Sequence, residues 1–272
     1  MGQASGGWRW PPQANDGVRQ NLPETVGPAG RRDGPEVSGA TTTHTWQRGV
    51  WEGGRMAYHG KVRVGERPDT RELPDLIITK VAVGPMDNNA YVLRSRQTDE
   101  QLLIDAAAEP DTLLRIVGDA GLTAVVTTHR HADHWQALPA LVTATGASTM
   151  AGEADADHLP EPVETRLSDG GRLRVGRCEL QVITLVGHTP GSIALLFDDP
   201  EGTPHLFTGD SLFPGGPGRT TSPEDFTSLM DDLEEKVFGR LPDETWIYPG
   251  HGADTTLGAE RPHLAEWRTR GW

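Results

Sequence analysis

From Leu76 onward the chain alternates short apolar runs with polar turns. The runs LIITKVAV (76–83), AYVLRS (90–95), QLLIDAA (101–107), ELQVITLV (179–186), SIALLFDD (192–199), HLFTGD (205–210) and TWIYPGH (245–251) are rich in β-branched, aliphatic and aromatic residues. They are separated by turn residues, and together they predict strands that are buried or half-buried. LTAVVTT (122–128) adds another apolar run that ends on a cluster of histidines. Between the strands, helices are predicted over 111–120 (DTLLRIVGDA), over about 135–145 with Pro139 as a weak point, and over 222–238. The last opens on Ser222 as N-cap, Pro223 at the first helical position and acids in the first turn. Strands followed by helices in both halves imply sheets covered by helices, hence one α/β domain over 57–272. No period of 20 to 50 residues marks a repeat architecture.

Residues 1–56 break this pattern. Gly, Pro, Arg and Thr dominate, and only five Val, Leu or Ile occur in the first 55 positions. Such a stretch buries too little apolar surface to offset the entropy of ordering it, so a disordered tail is expected. A second expectation is a start codon set too early, with Met56 the true start. Glu52-Gly53-Gly54 just upstream is what a purine-rich ribosome-binding site would encode if translated.

Composition narrows the partners. With 25 basic and 39 acidic side chains the formal net charge is −14, which disfavours nucleic acid, since phosphate backbones are held by clustered Lys and Arg. A small molecule and metal cations fit better. Cys178 is the single cysteine, so no internal disulfide forms and any metal site draws on His and carboxylates; a cytoplasmic location is expected. No apolar run of bilayer length is present. The oligomeric state is left open.

The chemistry concentrates at strand ends. THRHADH (128–134) places His129, His131, Asp133 and His134 within six positions directly after an apolar strand. Residues two apart on an extended chain point the same way, so His129 and His131 can aim at one ion, while a turn into the next helix brings Asp133 and His134 round from another side. Asp133 would then sit at the positive end of that helix. His188, Asp210 and His251 each follow an apolar strand at a Gly-containing turn. Alone, each is equally a polar turn former. Their recurrence at strand ends, where loops carry function, makes them a candidate site.

In this order the residues resemble the metallo-β-lactamase superfamily, over about residues 76–256. The resemblance implies an αββα sandwich, with His129, His131 and His188 on a first metal, Asp133, His134 and His251 on a second, and Asp210 bridging. Asp105 in LLIDAA matches an aspartate that supports the site without ligating. Two divalent ions, zinc in the first instance with iron or manganese as alternatives, would lower the pKa of a shared water toward neutrality and polarise a carbonyl. Asp133 is also the candidate catalytic acid–base residue. GDSLF and YPGHG further resemble glyoxalase II of the short bacterial type, which implies a thioesterase that cleaves S-acyl esters of a low-molecular-weight thiol with a metal-bridging hydroxide.

Some features depart from that pattern. Only 21 residues follow His251, and Gly216-Pro217-Gly218 replaces a Gly-Cys-Gly frequent in those enzymes, which leaves mycothiol as well as glutathione open as the carrier. Arg219 is the one basic residue of this loop and a candidate contact for a substrate carboxylate. Three other readings stand beside the thioesterase: a mononuclear-iron persulfide dioxygenase built on His129, His188 and Asp210, a lactonase or other hydrolase of the same fold, and a non-catalytic metal-binding fold. The tail RPHLAEWRTRGW is expected to form a short helix, either packed on the domain or shaping the substrate mouth or a dimer contact.

Overall fold

A computed structural model describes residues 58–200 and 202–271. The expectations for residues 1–56 lie outside the described residues. Two mixed sheets form the centre. The first has strand order β1 (Asp69–Glu72), β2 (Leu76–Val83), β3 (Asn88–Ser95), β4 (Gln101–Ile104), β5 (Ala124–Thr127), β6 (Ser148–Gly152) and β7 (Thr165–Leu167). The second contains β8 (Arg172–Val175), β9 (Cys178–Thr184), β10 (Ile193–Phe197), β11 (His205–Gly209), β14 (Trp246–Pro249) and β15 (Thr255–Thr256), in the order β15-β14-β11-β10-β9-β8. A small hairpin, β12 (Leu212–Phe213) with β13 (Gly216–Pro217), follows β11.

Strand alternation builds three apolar layers. On β2, Leu76 and Ile78 face inward with Leu180, Val182, Leu195 and Phe207 of the second sheet, while Val81 and Val83 join a different cluster on the outer face. That outer cluster takes in Leu113 and Val117 of α1 (Pro110–Val117) and Leu138 and Leu141 of α2 (Leu138–Thr145). The opposite outer face packs Ile183, Ala194 and Leu206 under Phe226, Leu229 and Met230 of α3 (Pro223–Asp232). The architecture is therefore the expected αββα sandwich, the central strands of each sheet buried on both faces.

The helix signals resolve in detail. Ser222 caps α3 by accepting a hydrogen bond from the Asp225 N–H, and a π-helical turn carries the chain on to Phe238. The helix expected from Trp135 begins instead at Leu138, after a 3-10 turn over Ala132–His134. Pro139 sits in its first turn, where a missing N–H costs nothing, so it marks a start rather than a weak point. Asp133 consequently belongs to the 3-10 turn and not to the helix terminus. At the far end, after α4 (Leu257–Glu260), the tail forms α5 (Leu264–Arg270). Trp267 of α5 is buried in the outer cluster beside Phe238, so the tail packs on the domain. Cys178 is a buried free thiol in the inter-sheet core, and burial raises its pKa. Among the described residues no helix is long and apolar enough to cross a membrane.

Candidate metal centre

The ligand-type residues project from loops at one end of both sheets. β5 stops at Thr127, and His129 and His131 occupy the turn beyond it. His188 lies between β9 and β10, Asp210 directly follows β11, and His251 follows β14, bridged to Asn88 at the start of β3. The parallel pairing of β11 with β14 brings Asp210 and His251 side by side, since Gly209 pairs with Pro249. All seven sequence-predicted ligand residues meet here, in three overlapping groups: His129, His131 and His188; His129, His134 and Asp210; Asp133, His134 and His251.

Hydrogen bonding sets which ring nitrogen faces inward. His188 donates through Nδ1 to the Arg219 carbonyl at 2.6 Å, His134 through Nδ1 to Asp105 Oδ2 at 2.8 Å, and His251 through Nδ1 to the Met86 carbonyl at 3.2 Å. The Thr128 hydroxyl donates to Asp105, which leaves its oxygen to accept from His129 Nδ1 at 3.0 Å. Each of these four rings thus spends its N–H outside the centre and turns the lone pair of its Nε2 inward, the arrangement in which imidazole ligates a metal. Inside, His188 Nε2 lies 2.9 Å from His131 Nδ1 and 3.3 Å from His129 Nε2. Asp210 Oδ1 is 3.4 Å from His134 Nε2, and its Oδ2 is 3.6 Å from His188 Nε2 and 3.5 Å from His251 Nε2, so Asp210 faces both groups.

The residues fit metal ions on two observations. His134 Nε2 and Asp210 Oδ1 are buried without a hydrogen-bond partner, a costly state unless a cation occupies the space between them. Gly250 lines the same space: a Cβ there would stand 2.2 Å from Asp210 Oδ1 and 2.7 Å from the His134 ring.

Electrostatics agree. Burial opposes charge on every group; outweighing the pull of Asp210, it takes His129 well below the ordinary imidazole range and His131 down to about 4. Against the same burial, Asp210 and Asp105 hold His134 well above that range. Hydrogen bonds to Asp133 and Asp210 take His251 to about 9. Burial likewise opposes ionisation of Asp210 and Asp133, yet both stay below the carboxylate range, Asp210 through the charge of His134, Asp133 through a hydrogen bond from His251 and the charge of His134. The two carboxylates call for positive charge, which protons on His134 and His251 supply in the metal-free protein and which a bound cation would displace.

Asp105 lies at the end of β4 in a left-handed backbone conformation, φ 59°. This turn aims its carboxylate at the Thr128 N–H (2.7 Å), the Thr128 hydroxyl and the His134 ring. Asp tolerates the conformation better than most residues, and the strain is held by three buried hydrogen bonds. Arg219 contributes its carbonyl to His188 while its side chain is exposed. Sequence reasoning passed over Asn88, whose Nδ2 donates to Asp133 Oδ2 at 2.9 Å and lies 3.4 Å from His251 Nε2. It also passed over Asn89 and Tyr91, which both donate to the Pro249 carbonyl and so anchor the loop that carries His251. The signal available was MDNNAY: two buried asparagines opening an otherwise apolar strand.

Comparison with known proteins places this geometry in a family. The metallo-beta-lactamase superfamily model matches residues 83–251, and the chain belongs to that superfamily. It is 37% identical over 168 residues to a hydroxyacylglutathione hydrolase of Fuscovulum blasticum, a match covering 61% of this chain and 62% of that relative's length. Among solved structures, ETHE1 from Myxococcus xanthus is 32% identical with a TM-score of 0.61, covering 69% of this chain and 82% of that one. TTHA1623 in a di-iron-bound form is 33% identical with a TM-score of 0.56, covering 67% of this chain and 96% of that one. The chain is thus a metallo-hydrolase-superfamily enzyme with glyoxalase II-like relatives.

Proposed function

We propose that the protein is a binuclear metal-dependent thioesterase of the glyoxalase II kind, hydrolysing S-acyl esters of a low-molecular-weight thiol. The observation that carries this is the outward tethering of four histidine N–H groups, which leaves four ring lone pairs converging around one shared carboxylate. His129, His131 and His188 would hold one ion, Asp133, His134 and His251 the other, with Asp210 between them and zinc the metal proposed first. Such ions, when bound, supply an activated water and Lewis-acid polarisation of the thioester carbonyl.

The chain's own residues do the rest. Asp105, Thr128, Arg219 and Met86 fix the ring orientations, so the site is built before substrate arrives. Asn88 orients Asp133, the acidic group placed to receive a proton from the attacking water at a carboxylate oxygen. In the net reaction a C–O bond replaces the C–S bond of the thioester, and the thiol leaves carrying the proton. The exposed Arg219 guanidinium, on the residue that anchors His188, is the proposed contact for a carboxylate of the thiol carrier. A cytoplasmic location accords with the single, buried free cysteine.

One observation favours a second reading. His188 Nε2 lies 3.3 Å from His129 Nε2 and 3.6 Å from Asp210 Oδ2, so two histidines and a carboxylate meet as in a mononuclear-iron oxygenase, and the likeness to ETHE1 is compatible with it. The complete group of Asp133, His134 and His251 speaks for the binuclear reading. Assaying thiol release from S-lactoylglutathione and from a mycothiol thioester, beside oxygen uptake with a persulfide of each thiol, separates the two. Thiol release without oxygen uptake is expected; oxygen uptake without thiol release would replace this reading with the oxygenase.

A further inference from the structure

Asp155 stands 21 residues after His134, outside every motif of the site, and its side chain is fully buried. Its carboxylate collects donors from two separate turns. Oδ2 accepts the Arg130 N–H at 2.9 Å and the Thr189 hydroxyl, and Oδ1 accepts the Gly191 N–H at 3.0 Å. Arg130 is the residue between His129 and His131, and Thr189 directly follows His188. One carboxylate therefore ties together the two turns that carry the three rings of the first group.

The surroundings are built to hold this tie. Arg130 is fixed on its other side by the Trp135 indole, which donates to its carbonyl at 2.9 Å, and its guanidinium Nε comes within 3.8 Å of Asp155 Oδ1. Ser192 Oγ accepts from the Thr189 N–H at 3.1 Å and lies 2.6 Å from the Thr189 hydroxyl, which leaves that hydroxyl's proton for Asp155. Gly191 gives the room for so close an approach: a Cβ there would stand 2.3 Å from the Asp155 backbone nitrogen and 2.7 Å from its Cγ. A carboxylate accepts only, and every neighbour it meets here donates, so no other side chain of this size matches the set.

The tie crosses the sandwich. The His129–His131 turn leaves β5 of the first sheet, whereas His188 connects β9 to β10 of the second, and beside the tie the Ile193 N–H donates to the Thr128 carbonyl at 3.0 Å. A metal ligated from both sheets requires their separation to be fixed to a few tenths of an ångström.

We propose that Asp155 is a positioning residue for the first metal group, setting the spacing of the His129–His131 turn against the His188 turn and thereby the affinity of that group for its ion. The second group is positioned independently, through Asp105 on His134 and Asn88 on Asp133. The inference rests on the binuclear reading above, and its test separates the two.

The test is equilibrium titration of the metal-stripped, full-length protein with cobalt(II), read by visible absorbance. Wild-type protein is expected to take up two equivalents. Asp155→Asn keeps the shape but faces at least one buried donor with another donor. It is expected to weaken one of the two sites by about 10- to 100-fold and leave the other unchanged. In a His251→Ala background, where the first group alone remains intact, Asp155→Asn is expected to weaken binding by the same factor. In a His188→Ala background it is expected to change nothing. Equal weakening of both sites, no weakening, or an effect in the His188→Ala background would overturn the role of Asp155 while leaving the binuclear reading standing. Wild-type protein that binds no cobalt would overturn both. If Asp155→Asn does not fold, Thr189→Val, which removes one donor of the three, is expected to weaken the same site by a smaller factor, and unchanged binding would overturn the proposal.

Discussion

Replacing Asp210 by alanine is expected to lower kcat/KM for thioester hydrolysis by on the order of 10³-fold or more, because both groups of ligands lose the anion they share. Asp210 faces His134 through Oδ1 and both His188 and His251 through Oδ2, and it is the strongest reason for His134 to carry charge once burial is set against it. Its loss leaves Asp133 as the single carboxylate among the candidate ligands, with Asp105 held behind the His134 ring. Cobalt binding should fall with activity, while the far-ultraviolet spectrum stays that of the wild type, since the backbone turn after β11 is held by hydrogen bonds independent of the side chain, such as Gly250 N–H to the Gly209 carbonyl. Steady-state kinetics on the purified variant with added zinc gives the answer. Retention of most of the hydrolytic activity would mean that Asp210 is not shared by two ions.

The second large effect is on stability. Lys80 lies on β2 in register with Leu76 and Ile78, where the alternation calls for an apolar residue, and its side chain is entirely buried. Burial lowers its pKa, with Asp254 opposing that shift from 2.5 Å. Lys80 Nζ also donates to the Gly60 and Gly252 carbonyls, while Asp254 accepts from the Tyr58 hydroxyl and the Trp246 indole. Asp254→Ala leaves an unpaired buried ammonium, at a cost of about 3–5 kcal/mol. In the metal-stripped protein this should lower Tm by on the order of 10 °C. Lys80→Met with Asp254→Leu should cost much less than the sum of the single changes, because removing both charges also removes the need to pair them. Additive losses would show that the pair acts as two independent packing elements. Metal-free protein is the proper sample, since bound ions would add their own stabilisation.

These two predictions divide along what the sequence displayed. The candidate ligand residues were legible because an apolar run makes a polar residue at its end conspicuous: His129, His131, Asp133, His134, His188, Asp210 and His251 all stand just past strands that the pattern predicted. The resemblance, rather than the pattern, marked Asp105, while the Ser222-Pro223 start marked the cap of α3. The pattern could not show pairings between distant elements that share no period. Lys80 and Asp254 are 174 positions apart, Asn88 and Asp133 are 45 apart, and Asp155 reaches forward and back to Arg130 and Gly191. Short strands were also hidden. STMAG of β6 has Thr149 as its one β-branched residue, and β7 (TRL) and β8 (RLRV) are three and four residues long, too short for an alternation to stand out. The start of α2 was placed three residues early because Trp135 continues the apolar pattern although its backbone is not helical.

Whether the seven residues form a centre for two ions that serves thioester hydrolysis is read from the metal content of the purified protein by mass spectrometry, taken on the same sample that is assayed with S-lactoylglutathione. About two divalent ions per chain are expected, with zinc foremost, and thiol release that is lost on chelation and restored by adding metal back. A single iron per chain with no thiol release would contradict the binuclear reading.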